Sequence, residues 1–157
     1  MPPQKFSRET YDRLHAEMTK MKTEGRIRVA NSIEAARALG DLKENGDYHA
    51  AKDDQGKMES RIRQIEAMLD GAEIIEGDEE VDISSVEQGS VVGIKYEGDN
   101  VVEWYLIGSI EERRDGVTVM SPSSPLGQAL LGHKPGDTVG YAAPSGELRV
   151  QIVEIKR

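Results

Sequence analysis

The stretch Tyr48-His49-Ala50-Ala51-Lys52-Asp53-Asp54-Gln55-Gly56-Lys57-Met58-Glu59-Ser60-Arg61-Ile62-Arg63-Gln64-Ile65-Glu66-Ala67-Met68-Leu69 repeats an apolar or small residue at alternating steps of three and four. The seam is Tyr48, Ala51, Gln55, Met58, Ile62, Ile65 and Leu69, with Gln55 its one polar member. That spacing keeps every member on one face of an α-helix and makes a coiled-coil seam. Upstream, a second stripe runs through Tyr11, Leu14, Met18, Met21, Gly25, Val29, Ile33, Ala36 and Gly40. Its steps alternate until a run of fours near residues 25–29, which is a stutter in the heptad. Gly25 weakens the helix there by about 1 kcal/mol relative to Ala. Phe6-Ser7-Arg8-Glu9-Thr10-Tyr11 reads as the helix start. Ser7 supplies the cap, Glu9 a favourable charge in the first turn, and Phe6 a staple onto Tyr11. Two such runs of about 30 residues, joined by the short segment 40–47, bury their stripes by packing antiparallel into a rod of about 45 Å.

Beyond residue 80 the period switches to two. Strands are expected at 90–96, 101–107, 116–120, 138–142 and 148–155, with turns at Glu97-Gly98-Asp99-Asn100 and Pro144-Ser145-Gly146-Glu147. One short helix interrupts them. Ser124 caps it, Pro125 opens it and Gly132 stops it just past Leu131. The expected class is α+β in two domains: an N-terminal antiparallel helical hairpin over 1–77 with an acidic tip at 40–47, and a C-terminal antiparallel sheet with one short helix over 78–157. Glu76-Gly77-Asp78-Glu79-Glu80 reads as the linker between them.

Composition agrees with a thin rod on a small sheet. Aromatic residues are 4% of the 157, with one Phe and one Trp, while 31% are charged. The net charge is −9. It falls mostly on the second half: residues 1–75 carry 13 basic and 14 acidic side chains, residues 76–157 carry 7 and 15. This balance argues against a protein that coats duplex nucleic acid by charge alone. The chain has no cysteine, which excludes a disulfide scaffold, a thiol nucleophile and a Cys-based zinc site and suits a reducing cytoplasm. No apolar run approaches the roughly 18 residues of a membrane span, and no signal peptide is expected behind Met1-Pro2-Pro3-Gln4-Lys5.

The tip is the candidate site. Asp41, Glu44 and Asp47 recur every three residues, with Lys43 among them and Arg37 and Lys52 on the flanking helices. One reading is a carboxylate cluster at the end of a rod, able to share a divalent ion with a partner's acids, since Mg²⁺ takes oxygen ligands and often only one or two carboxylates per protein. The other is a capping box, with Asp41 as cap and Glu44 three residues on, or a later helix capped by Asn45. Two carboxylates on a solvated loop need a second protein to complete a metal shell. His15, His49 and His133 are too scattered for a metal triad; His49 lies near enough to the tip to meet a phosphate. The hairpin's basic residues alternate with acids, which makes a solvated helix face or a positive stripe for a nucleic-acid end. There is no phosphate loop and no serine-nucleophile pattern.

The segment Ala36-Arg37-Ala38-Leu39-Gly40-Asp41-Leu42-Lys43-Glu44-Asn45-Gly46-Asp47-Tyr48-His49-Ala50-Ala51-Lys52 resembles the tip signature of the GreA/GreB family of bacterial transcript cleavage factors. Ser124-Pro125-Leu126-Gly127-Gln128-Ala129-Leu130-Leu131-Gly132, followed by Gly136-Asp137, is similar to the family's second signature. The resemblance covers nearly the whole chain. It implies a C-terminal FKBP-like domain that docks at the rim of the RNA polymerase secondary channel, with contacts carried by Ser124, Pro125 and Leu126. The hairpin then enters the channel. There, Asp41 and Glu44, with Asp47 secondary, help the polymerase hold its second Mg²⁺ and a nucleophilic water. Arg37 and Lys52 steady the extruded RNA 3′ end. The implied outcome is hydrolysis of backtracked RNA by the polymerase's own active site. The factor itself is then no enzyme; it binds no metal alone and is a monomer when free.

Two departures stand out. Position 46 is Gly where the family often has Ala, and Ser121-Pro122 adds a second Ser-Pro ahead of Ser124-Pro125. The hairpin lacks a dense basic run, which is closer to the branch that releases short fragments. Homologues that block the channel instead of stimulating cleavage are an alternative, but they alter the tip acids, which are intact here. A prolyl isomerase would need more aromatics than Tyr96, Trp104, Tyr105 and Tyr141 supply, and a coiled-coil scaffold should dimerise.

Overall fold

The computed structural model describes residues 4–76 and 82–156. The chain forms two compact units, one made of residues up to Thr10 together with Ala72 onward, the other of Tyr11–Gly71. Most of the stretch read as an acidic linker, residues 77–80, lies outside the described residues.

Strand β1 (Lys5–Ser7) leads into α1 (Arg8–Lys20), a π-helical turn at Met21–Gly25, α2 (Arg26–Arg37) and, after the tip, α3 (Gly46–Leu69). The helical unit is the antiparallel hairpin expected from the two stripes. All seven seam residues of α3 are buried or half-buried, with Ala51, Ile62 and Ile65 the most deeply covered. On the facing strand of the hairpin Leu14, Gly25, Val29 and Ala36 are buried, whereas Gly40 at the end of the stripe is exposed. The stutter has a structural counterpart. A π-helical turn takes up an extra residue, and it ends on Gly25, where the run of fours would otherwise rotate the stripe away from α3. A Cβ on Gly25 would sit 2.9 Å from the Met58 sulfur, so the glycine gives Met58 room to pack against the turn. Bidentate ion pairs cross the hairpin from Arg61 to Glu17 and from Arg26 to Glu59, each at 2.9 and 3.1 Å, and fix its register. Part of the charge alternation is thus spent on cross-helix pairing.

The second unit holds β1, β2 (Glu73–Ile75), β3 (Val91–Tyr96), β4 (Glu103–Ile107), β5 (Thr118–Met120), α4 (Pro125–Leu130), β6 (Thr138–Ala143) and β7 (Gly146–Lys156). Five strands pair in the order β5-β4-β3-β7-β6. The sheet is antiparallel except for its edge pair β4/β5, which is parallel, so the all-antiparallel expectation is corrected there. A bulge in β7 between the partners of Gly93 and Ile94 leaves Val153 unpaired. Ile94, Ile107, Leu130, Val150 and Ile152 are fully buried and anchor the core, which α4 closes through Leu126 and Leu130. Helix α4 begins as read: Ser124 Oγ accepts from Gly127 N at 3.1 Å and Pro125 takes the first position.

The segment read as a pure helix start is also a strand. Lys5, Phe6 and Ser7 pair in parallel with Glu73, Ile74 and Ile75. Ser7 still caps, its Oγ accepting from Thr10 N at 3.2 Å. Glu112 locks this corner: one carboxylate oxygen accepts from Ser7 N at 2.8 Å, the other from Ser7 Oγ at 2.9 Å and from buried Thr10 Oγ1 at 2.8 Å. Among the described residues no helix is long and apolar enough to cross a membrane.

Candidate functional site

Helix α2 ends at Arg37, with Ala38 as its C-cap and Leu39 N still bonding back to Ala36 O at 3.1 Å. Gly40 then adopts φ +142°, a conformation that side chains beyond glycine rarely reach, and the chain reverses. Asp41 Oδ1 accepts from Lys43 N at 3.1 Å, a local turn of the kind Asp favours. Helix α3 starts at Gly46 with Asn45 as its cap; Asn45 Oδ1 accepts from Tyr48 N at 3.1 Å. The Asp41–Glu44 capping box is therefore not formed. Asn45 caps instead, which leaves Glu44 exposed and without a hydrogen-bond partner among the described residues.

The same Asn45 side chain turns its amide the other way and donates to Ala36 O at the end of α2. One residue thus satisfies an orphan donor of α3 and adds a second hydrogen bond to a carbonyl in the last turn of α2. A second tie comes from His49, whose Nε2 lies 3.1 Å from Lys43 O. A carbonyl only accepts, so the imidazole carries its proton on Nε2. The His49 ring stands edge-on to Tyr48 at 5.7 Å between centroids. His49, placed by sequence near a phosphate, is engaged with the tip backbone.

Asp41, Glu44 and Asp47 are all exposed, as are Arg37, Lys43 and Lys52. Lys52 Nζ donates to Gln55 Oε1 at 2.9 Å. Leu39 is 70% exposed, and Leu42 beside Asp41 is 39% exposed, an unusual pair of apolar side chains flanking an acid. Among the described residues no three His, Asp or Glu side chains gather as a metal site. The tip's oxygen donors suit a hard divalent ion but are too few for a shell of six. Such an ion would need further ligands from elsewhere. Of the residues read as docking contacts in the second unit, Leu126 faces the core, Ser124 Oγ is used by Gly127 N and Ser121 O, and Pro125 is exposed. The exposed residues around Pro125 are Ser123 in the loop and Gln128 in α4. The clasp made by Asn45 was only half legible, because a cap can be read from sequence and a carbonyl nine residues upstream cannot.

Residues 4–74 match the family described as transcription elongation factor, N-terminal, and residues 80–157 match transcription elongation factor, GreA/GreB, C-term. The chain is 41% identical over 151 residues to transcription elongation factor GreA of Saccharopolyspora erythraea, covering 95% of this chain and 91% of that one. It is 40% identical to GreA of Thermotoga neapolitana over 96% of both. Among solved structures, the GreA factor homolog Gfh1 of Thermus thermophilus matches at 24% identity with a TM-score of 0.46, covering 99% of this chain and 100% of that one. With both of its halves matched to the family and relatives about two-fifths identical along nearly its whole length, the chain belongs to the GreA/GreB family of transcription elongation factors.

Proposed function

We propose that this elongation factor enters the secondary channel of RNA polymerase with its hairpin and stimulates the polymerase's own Mg²⁺-dependent cleavage of backtracked RNA. The observation that carries the reading is the tip itself: Asp41 and Glu44 stand exposed on a turn whose helix cap is supplied by a different residue. Glu44 has no hydrogen-bond partner among the described residues and Asp41 spends only Oδ1, on Lys43 N, so both keep oxygens that can act on something outside the chain. Helix α3, with 24 residues, extends about 36 Å at 1.5 Å per residue, enough to carry the tip far from the base of the rod.

In this reading Asp41 and Glu44 complete, with polymerase acids, the shell of the second Mg²⁺. That ion, when bound, supplies charge relief at the phosphate and an acidified water. The chain's own share is to bring two hard anionic ligands to the site and hold them there. Asp47 is a secondary ligand in the first turn of α3. Arg37 and Lys52 flank the tip and hold the phosphates of the extruded 3′ end. The second unit docks on the channel rim, with Pro125 exposed at the start of α4. The protein is no nuclease by itself, and acts as a monomer in the cytoplasm.

Adding the purified protein to a stalled, backtracked bacterial elongation complex with Mg²⁺ tests this. Short 3′ fragments are expected to appear and elongation to resume. Slowed nucleotide addition with no fragments would replace the reading by a channel-blocking one.

A further inference from the structure

We propose that Asn45 and His49 are positioning residues that hold the tip acids in their working arrangement, an inference that rests on the cleavage reading above. Asn45 joins the last carbonyl region of α2 to the first amides of α3, through Ala36 O and Tyr48 N. His49, one turn into α3, holds Lys43 O at 3.1 Å, between the two acids in sequence. Among the described residues Asp41 is held by its own contact to Lys43 N alone. Glu44 has no partner among the described residues and lies next to Asn45. The loop that carries the acids has no core of its own: residues 39–44 are all exposed. Its order therefore comes from polar ties, supplied by the cap and the first turn of α3.

Reacting and ligating groups tolerate little misplacement, and a shift of about 1 Å can cost 100-fold in rate. Residues that orient ligands without touching the ion typically cost 10- to 100-fold in affinity or activity when removed, a range of roughly that size being expected here. Cap and clasp can be separated by substitution. Asn45→Ser keeps a good helix cap and adds no charge. It has no amide to reach Ala36 O. His49→Phe keeps a ring beside Tyr48 and loses the donor to Lys43 O.

The test has two arms on the full chain. In the free protein, amide hydrogen exchange over residues 41–44 is compared between wild type, Asn45→Ser and Asn45→Ser/His49→Phe, with far-UV circular dichroism as a check on helix content. Faster exchange at the tip, at unchanged helix content, is expected. With polymerase, cleavage is followed against Mg²⁺ concentration. The variants should need about tenfold more Mg²⁺ for half-maximal rate, while competing with wild type for polymerase as well as wild type itself does. Unchanged tip exchange, or wild-type Mg²⁺ dependence in both variants, overturns the assignment. If wild type itself gives no cleavage, the functional reading has failed and the exchange arm still decides whether the clasp orders the tip.

Discussion

Replacing Gly127 by alanine sets two effects of opposite sign against each other. Within α4 the change favours the helix by about 1 kcal/mol through backbone entropy. The new Cβ, however, would stand 2.2 Å from Ser121 O, 2.9 Å from Ser124 Oγ and 3.1 Å from the Pro122 Cα. An ordinary carbon–oxygen approach is about 3.3 Å, so the backbone of Ser121 or of α4 must yield by about 1 Å. Neither is free to do so. Ser121 O accepts from Ser124 N at 3.1 Å and from Ser124 Oγ at 2.7 Å, and that same hydroxyl caps α4. Leu126 and Leu130, on either side of Gly127, are fixed in the core. Overpacking of this kind costs about 1–3 kcal/mol, and loss of the cap about 1 kcal/mol more. After subtraction of the propensity gain, a net loss of about 1–3 kcal/mol remains. Urea unfolding followed by the fluorescence of Trp104, the single tryptophan, reports on this unit from β4. The midpoint should fall with little change in the denaturant slope. A Gly127→Ala protein as stable as wild type, or more stable, would refute the steric argument and leave propensity in charge.

Gly93 meets a side chain instead of backbone: its added Cβ would lie 2.9 Å from the outer edge of the Trp104 ring, so Gly93→Ala should lower stability by about 1–3 kcal/mol in urea unfolding and displace the ring from Lys156, which now sits 4.1 Å from its centroid. Gly56 is the reverse case, exposed in mid-α3 with nothing within 4 Å of a new Cβ, and Gly56→Ala should raise the melting midpoint of the hairpin, by about 1 kcal/mol in stability. The hydrogen bond from Arg26 holds the Glu59 carboxyl below the usual carboxylate range. A depressed carboxylate stabilises above its unfolded pKa of about 4.3 and loses that contribution as pH falls through the folded value. Thermal melts of the hairpin helices should therefore show a drop below about pH 4 that Glu59→Gln reduces.

The hairpin was legible because its signal is local and repeated. Steps of three and four from Tyr48 to Leu69 leave one face to bury, and the run of fours near Gly25 marked where the facing helix departs from α geometry. The short helix α4 was legible for a similar reason, since Ser124, Pro125 and Gly132 are punctuation within nine residues. Strand β1 was not. Phe6 pairs with Ile74, and nothing in three residues announces a partner so far along the chain. The parallel edge of β5 was hidden in the same way, because strand direction depends on the path of the 108–117 connection and not on alternation. At the tip the residue types were legible and the assignment of work among them was not. Asp41 and Asn45 are both good caps, and only the folded turn shows that Asn45 caps while Asp41 closes its own turn on Lys43. Leu126 illustrates the limit of a motif: it belongs to a signature segment, yet its side chain serves the core.

In the proposed reading two exposed tip acids promote the chemistry on a factor that docks through its other surfaces. The most direct measurement compares wild type with Asp41→Ala/Glu44→Ala in a backtracked elongation complex, at fixed Mg²⁺, with each protein alone and with the double variant in excess over wild type. Both substitutions fall on exposed side chains outside the caps and the core, so the variant should fold and dock. Fragments are expected with wild type, none above the polymerase's own background with the variant, and suppression of wild-type cleavage when the variant is in excess. Cleavage by the variant at the wild-type rate would contradict it.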